Sequence, residues 1–201
     1  MKKKKQTEFI HNGYKRSSIQ ETSLPLYLTS GYVYPSAEEA ELVFDEKIHR
    51  YQYSRFDNPT VNQLEKKFAL LEGAESCKAF SSGMSAVFAS FMCQVKKGDR
   101  VVAARALFGS CYNIIKDILP KYGVEVIFVD GKSLKQWEKA INKKTKCIFF
   151  ESPSNPTTSC PTEAKQAAVT DPKCQSPCTQ IFIANLSSQR PIHFLLGIAQ
   201  S

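Results

Sequence analysis

The chain has 201 residues, is 42% hydrophobic and carries a formal net charge of +8, enough apolar content for a packed core. No uninterrupted apolar run approaches the roughly 20 residues of a membrane-crossing helix, and the basic start Met1-Lys2-Lys3-Lys4-Lys5 runs into Gln6-Thr7-Glu8 without the apolar stretch of a secretory signal. A cytoplasmic protein without membrane contact is expected, and the scattered lysine pairs (Lys66-Lys67, Lys96-Lys97, Lys143-Lys144) read as solvated surface, excluding a nucleic-acid stripe.

In chain order, a short helix is expected from Ser36, with Glu39 as its reciprocal capping partner. A longer helix follows near Thr60, where Thr60 and Gln63 have capping-box spacing. It ends by Gly73 and draws its apolar face from Leu64, Phe68 and Leu71. Strands are expected at Cys77 to Ser81, Arg100 to Ala104, Val124 to Val129 and Lys146 to Glu151, each short and rich in apolar or β-branched residues. Helices at Met84 to Val95, Ser110 to Leu119 and Ser133 to Ile141 have crossover length, and Lys97-Gly98-Asp99 and Tyr122-Gly123 supply turns. The alternation predicts the α/β class, a mostly parallel sheet with flanking helices.

After Thr157 the pattern changes. Pro161, Pro172, Pro177 and Pro191 interrupt the chain, and apart from a strand-like run at Gln180-Ile-Phe-Ile-Ala no continuation of the sheet is expected. Three regions follow: an N-terminal arm at 1–59, a partial α/β domain at 60–157 and an irregular tail at 158–201. The seven cysteines, Cys77, Cys93, Cys111, Cys147, Cys160, Cys174 and Cys178, form an odd set without a disulfide framework. Cys174 and Cys178 lack a second ligand pair, and His11, His49 and His193 are not grouped, so no metal site is expected.

Three segments carry chemistry. Phe80-Ser81-Ser82-Gly83-Met84-Ser85-Ala86 places small residues between a strand and a helix, where unpartnered amides and the helix dipole suit a phosphate; ordinary turns share that pattern. Tyr51-Gln52-Tyr53-Ser54-Arg55-Phe56-Asp57-Asn58-Pro59-Thr60 concentrates aromatic rings around one arginine, whose planar fork suits a phosphate; a structural turn with a surface arginine reads the same way. Glu151-Ser152-Pro153-Ser154-Asn155-Pro156-Thr157 closes the last clear strand, the end at which open α/β sheets place ligand loops. Asn155 presents an amide there, as a plain Asn-Pro turn also would.

Taken in this order, Tyr-Ser-Arg-Phe-Asp-Asn-Pro-Thr at 53–60, Ser-Ser-Gly-Met-Ser-Ala at 81–86, Leu-Phe-Gly-Ser-Cys at 107–111 and Glu-Ser-Pro-Ser-Asn-Pro-Thr at 151–157 resemble the Cys/Met-metabolism family of pyridoxal 5'-phosphate (PLP) enzymes. The resemblance spans residues 8–157. It implies the large domain of fold type I, the aspartate aminotransferase architecture, assembled as dimers or tetramers. It further implies that Tyr53 and Arg55 reach the cofactor phosphate of a neighbouring subunit. Ser82 and the amides of Gly83 and Met84 would hold the phosphate of their own subunit, and Asn155 would sit near the phenolic oxygen of the ring.

Phe108 stands where many members of the family stack a tyrosine on the cofactor ring. The Leu-Phe-Gly-Ser-Cys run resembles the O-succinylhomoserine sulfhydrylase branch, which implies γ-replacement of an activated homoserine by sulfide to give homocysteine. A fragment of a cystathionine γ-synthase or γ-lyase is the alternative, and a non-catalytic partner of an intact family subunit is another.

The family's lysine, which holds PLP covalently and shuttles protons, has no counterpart in context: Lys165 and Lys173 are the lysines of the tail, and neither follows a Ser/Thr-rich turn. No catalytic residue is therefore assigned, and the chain alone is expected to be inactive. The loss of pattern after Thr157 reads as a shifted reading frame or premature end in the coding sequence, leaving an exposed sheet edge.

Overall fold

A computed structural model of the chain describes residue 7 and residues 16–72, 76–151, 154–158, 179–183 and 195–198, the last two segments by backbone alone. Lys2 to Lys5, His11, Gly73, Ser152, Pro153, Cys160, Lys165, Lys173, Cys174, Cys178 and His193 lie outside the described residues. The chain divides into two units, Met1–Glu72 and Gly73–Ser201.

The first unit holds α1 (Ala37–Phe44) and α2 (Pro59–Glu72). Ser36 caps α1, its hydroxyl accepting from the Glu39 amide at 3.2 Å. The Glu39 carboxylate does not complete a capping box, because it pairs with Arg50. Ser36 also bonds to Glu38, whose carboxyl is held below its usual range by a backbone hydrogen bond first and by that hydroxyl second.

Asn58 caps α2, not the expected Thr60 and Gln63. Its Oδ1 accepts from the amides of Thr60 at 2.9 Å and Val61 at 3.4 Å. Pro59 then occupies the first helical position, where its missing N–H costs nothing. The Thr60 hydroxyl accepts from the Tyr27 amide at 2.9 Å, and the buried Gln63 Oε1 has no partner among the described residues. Among the described side chains of α2, Ala69 and Glu65 are buried, whereas Leu64 and Leu71 are 46% and 51% exposed. An apolar stripe looks alike in sequence whether it faces a core or an interface.

The second unit is built on four parallel strands in the order β3-β2-β4-β5: β2 (Arg100–Ala104), β3 (Glu125–Val129), β4 (Thr145–Glu151) and β5 (Thr179–Ile183). Strand β1 (Ser76–Ala79) pairs antiparallel with β6 (Leu195–Ile198). Side chains alternate across the sheet. Val101, Ala103, Cys147 and Phe149 face one core, shared with Val87 and Phe91 of α3 (Gly83–Met92) and with Cys111 of α4 (Gly109–Asn113). Val102, Ala104, Ile148 and Phe150 face another, filled by the fully buried Trp137 of α5 (Leu134–Ala140).

The chain runs from β2 outward to β3 past α4, then back across β2 to β4 past α5, so its two crossovers lie on opposite faces. The strand order reverses at the carboxyl ends of β2 and β4, the position where open α/β sheets bind ligands. A cavity of about 290 Å³ opens there, lined by Ala104, Arg105, Asp130, Lys132 and Glu151 among others.

Two expectations are corrected in this unit. The helix read as Ser110 to Leu119 is α4 followed by a π-helical turn at Ile114–Ile118 and a 3₁₀ turn at Leu119–Tyr122. It closes on Gly123, whose φ of 75° is left-handed and whose missing Cβ would meet Lys97 Cγ at 2.8 Å. The tail, expected to hold a strand-like run at Gln180-Ile-Phe-Ile-Ala but no continuation of the sheet, contributes β5, which runs parallel to β4 from Cys147↔Thr179 to Glu151↔Ile183. The run Thr-Gln-Ile-Phe-Ile favours an extended chain, and its partner lies about thirty residues upstream, beyond the reach of local pattern.

Candidate functional site

The strand-to-helix turn at the start of α3 is built by serines. Ser82 accepts from the Ser85 amide at 3.2 Å, and Ser85 Oγ accepts from the Ser82 amide at 3.2 Å. This capping box consumes two amides, and the Ser82 carbonyl takes the Ala86 amide at 3.1 Å. The amides of Gly83 and Met84 are left with no partner among the described residues. Gly83 is buried and Met84 half-buried, while Ser81 and Ser82 beside them are exposed at the positive end of the helix. The Met84 side chain packs on the core that holds Leu107 and Cys111.

Phe108 lies between β2 and α4 with its ring 42% exposed. Its amide donates to Glu151 Oε1 at 2.8 Å, and the Asn155 amide donates to Glu151 Oε2 at 3.0 Å. Glu151 itself is 3% exposed. The loop beyond β4 is closed by a 2.6 Å bond between the Ser154 and Thr157 hydroxyls and by the Thr158 amide donating to the Ser154 carbonyl at 2.7 Å. Burial pushes the Cys111 thiol up to about 12, and the nearby Glu151 charge adds to the shift.

Tyr53 and Arg55 belong to the first unit. Gly31 and Tyr53 form an isolated antiparallel bridge, and the Ser54 amide donates to the Ser30 carbonyl at 2.9 Å. Buried Asn58 is the hub: its amide nitrogen donates to the Tyr27 carbonyl at 3.0 Å and to Ser54 Oγ at 2.9 Å. The Arg55 guanidinium lies 4.9 Å from the Tyr53 ring centre and 5.3 Å from that of Phe56. Both Tyr53 and Arg55 are exposed.

Comparison with known proteins adds an independent line. The model of the Cys/Met metabolism PLP-dependent enzyme family matches residues 6–182, past Thr157 and into β5. The chain belongs to this family. An O-succinylhomoserine sulfhydrylase of Mycobacterium tuberculosis is 50% identical over 147 residues, covering 73% of this chain and 36% of that protein. An L-methionine gamma-lyase of Porphyromonas gingivalis is 36% identical over 150 residues, covering 75% of the chain and 38% of its own length. The chain thus spans little more than a third of the curated relatives it matches.

Among solved structures, a Campylobacter jejuni protein described as an O-acetylhomoserine (thiol)-lyase superposes with a TM-score of 0.76 at 27% identity, covering 90% of this chain and 44% of that one. It carries a pyridoxyl-lysine phosphate. PLP is the cofactor of the family, and the first turn of α3 fits its phosphate: two amides without a partner among the described residues, a glycine and the positive end of a ten-residue helix meet there.

Two residues that hold these segments, Glu151 and Asn58, carry no signal of that role in the sequence. Glu151 was visible only as the first letter of its motif, and Asn58 as part of an aromatic segment.

Proposed function

We propose that the chain carries the cofactor-binding part of a PLP-dependent sulfhydrylase that makes homocysteine from O-succinylhomoserine and sulfide. The observation that carries the reading is the 50% identity to an O-succinylhomoserine sulfhydrylase, spread over a chain whose Phe108 lacks the hydroxyl of a stacking tyrosine. That absence favours the sulfhydrylase over the lyases, in which a tyrosine hydroxyl assists elimination.

In this reading the amides of Gly83 and Met84, with Ser82 beside them, hold the cofactor phosphate. Phe108 presents its exposed face to the pyridine ring, and Asn155 offers its side-chain amide to the phenolic oxygen. Tyr53 and Arg55 act on the phosphate of a second subunit; the arginine supplies a bidentate charge and the tyrosine a further donor. PLP, when bound, supplies the electron sink for the reaction. No lysine of the chain stands in the family's context, so the 201-residue chain by itself turns over no substrate.

A homo-oligomer, dimer or tetramer, follows from the same reading. It is favoured by the first unit, where Ile19, Leu26, Leu28, Val33, Phe44 and Phe56 are 69% to 94% exposed, apolar side chains that a partner chain would cover. The exposed surface also favours the second reading, a non-catalytic partner of an intact family subunit.

Two assays test the proposal. The purified chain, given PLP, O-succinylhomoserine and sulfide, should form no homocysteine; formation would refute its inactivity. Co-expressed with a full-length sulfhydrylase whose own matching tyrosine and arginine are replaced by alanine, the chain should restore homocysteine formation. Arg55→Ala in the chain should abolish that rescue. Absence of rescue despite co-purification would remove the cross-subunit role of Tyr53 and Arg55.

A further inference from the structure

The cofactor reading leaves unexplained a buried carboxylate at the centre of the candidate site. Glu151 ends β4 with 3% of its surface exposed, and no basic side chain is paired with it among the described residues. A buried charge persists only when donors satisfy both oxygens. Here the donors come from two separate loops: the Phe108 amide, 43 positions upstream, on Oε1, and the Asn155 amide on Oε2. The buried Cys111 thiol, in the first turn of α4, lies close enough to feel the charge of the same carboxylate.

Each loop has local ties, the Ser154–Thr157 hydroxyl pair in one and the Tyr112 amide on the Phe108 carbonyl in the other, but the bonds to Glu151 are those that reach from both loops to the end of β4. Phe108 starts α4 with no side-chain cap, and residue 155 leaves the sheet at the end of β4. Rigidity comes from the strand: Glu151 pairs with Ile183 of β5, and Phe149, two residues before it, pairs with Ala103 of β2. A short side chain projecting from the middle of a parallel sheet therefore fixes two loops by charge-assisted bonds of restricted direction.

We propose that Glu151 is a positioning residue, a carboxylate clamp that sets the Phe108 ring and the Asn155 amide at one spacing so that both meet a single planar pyridine ring. The inference rests on the reading of Phe108 and Asn155 as ring-facing groups. Glu151 touches no part of the cofactor in this scheme. Its effect is confined to the ring end, because the phosphate turn of α3 is held by its own capping box.

The test uses the full chain and its Glu151→Gln and Glu151→Ala variants. Amide hydrogen exchange without cofactor reads the clamp directly. Glu151→Ala should lose protection at both Phe108 and Asn155, and Glu151→Gln at one of them, since the carboxamide keeps a single acceptor oxygen, while β2 and β4 stay protected.

Titration with PLP, followed by Trp137 fluorescence, should then show affinity weakened roughly tenfold in Glu151→Ala, the scale of one charge-assisted bond. Inorganic phosphate, followed by the Gly83 and Met84 amide shifts, should bind each variant as it binds the parent chain. Unchanged protection at Phe108 and Asn155 would overturn the proposal. So would lost protection with unaltered PLP affinity in a chain where Phe108→Ala weakens PLP. If neither Glu151→Ala nor Phe108→Ala affects PLP, the ring-facing reading fails, and the clamp's role with it. Global loss of protection in Glu151→Ala leaves Glu151→Gln, close in size and shape, to decide between the same outcomes.

Discussion

Asn58 bears two loads that a substitution series separates. Its oxygen caps α2 and its amide nitrogen holds the Tyr53–Arg55 segment through Ser54 and the Tyr27 carbonyl. Asn58→Ala should destabilise the first unit by about 1–2 kcal/mol, the cost of a lost cap. Asn58→Asp keeps the acceptor and loses the donor, so it should cost less in denaturant titration and yet loosen residues 53–55 in hydrogen exchange. Equal stability losses in the two variants would contradict this division.

The buried thiols set a pH dependence of known sign. Cys147 is pushed up to about 12 by burial and then by Cys93, and Cys111 to the same range. A thiol raised on folding binds its proton more tightly in the native state. The stability this confers is complete below the pKa of an unfolded thiol, roughly 8.5, and is lost as pH climbs towards 12. The unfolding free energy should therefore fall across this alkaline window, and Cys147→Ala should flatten the slope whatever its effect on stability at neutral pH.

At the level of elements, the sheet was the most legible part. Strand β2 has the bounds that its run of apolar residues indicates, because both faces are buried and no polar alternation blurs the ends. The π turn was not legible. Three-and-a-half-residue periodicity does not distinguish α from a locally widened helix, and Pro120 and Gly123 mark only where it stops. Strand β5 was readable as an extended run, while its partner was not, since pairing across the sheet depends on the whole topology.

The same limit hid Glu151 as a clamp: only the sheet brings it to Phe108. Trp137, fully buried with its indole N–H on the Gly131 carbonyl at 3.2 Å, anchors the core of α5. Trp137→Ala should cost about 3–5 kcal/mol in a urea titration; a loss under about 1 kcal/mol would show that this face packs elsewhere.

At one edge of the sheet, Arg100 and Glu125 face each other across β2 and β3 in a bidentate pair of 3.0 and 2.7 Å. The side-chain bond to Arg100 holds the Glu125 carboxyl below its usual range. Its contribution is present at neutral pH and lost as pH falls through the lowered value. Glu125→Gln should accordingly be less stable than the parent at pH 7, with the difference closing in acid. Exposure of the carboxylate keeps that difference small.

For the whole molecule, the comparisons show the family, and one half of a shared cofactor site is what we propose for it. The phosphate turn, the Phe108 ring and the Asn155 loop belong to the second unit, and the arginine-tyrosine segment to the first. In that proposal the exposed apolar side chains of the first unit meet a partner chain of the same kind. On the proposed reading, binding of the cofactor is the property to measure.

The most direct test is titration of the ¹⁵N-labelled chain with PLP and, separately, with pyridoxal, which has the ring and lacks the phosphate. The account predicts that PLP shifts the Gly83 and Met84 amides at the start of α3 along with those near Phe108 and Asn155, and that pyridoxal binds far more weakly. Equal binding of the two compounds, or PLP shifts that bypass Gly83 and Met84, would contradict it.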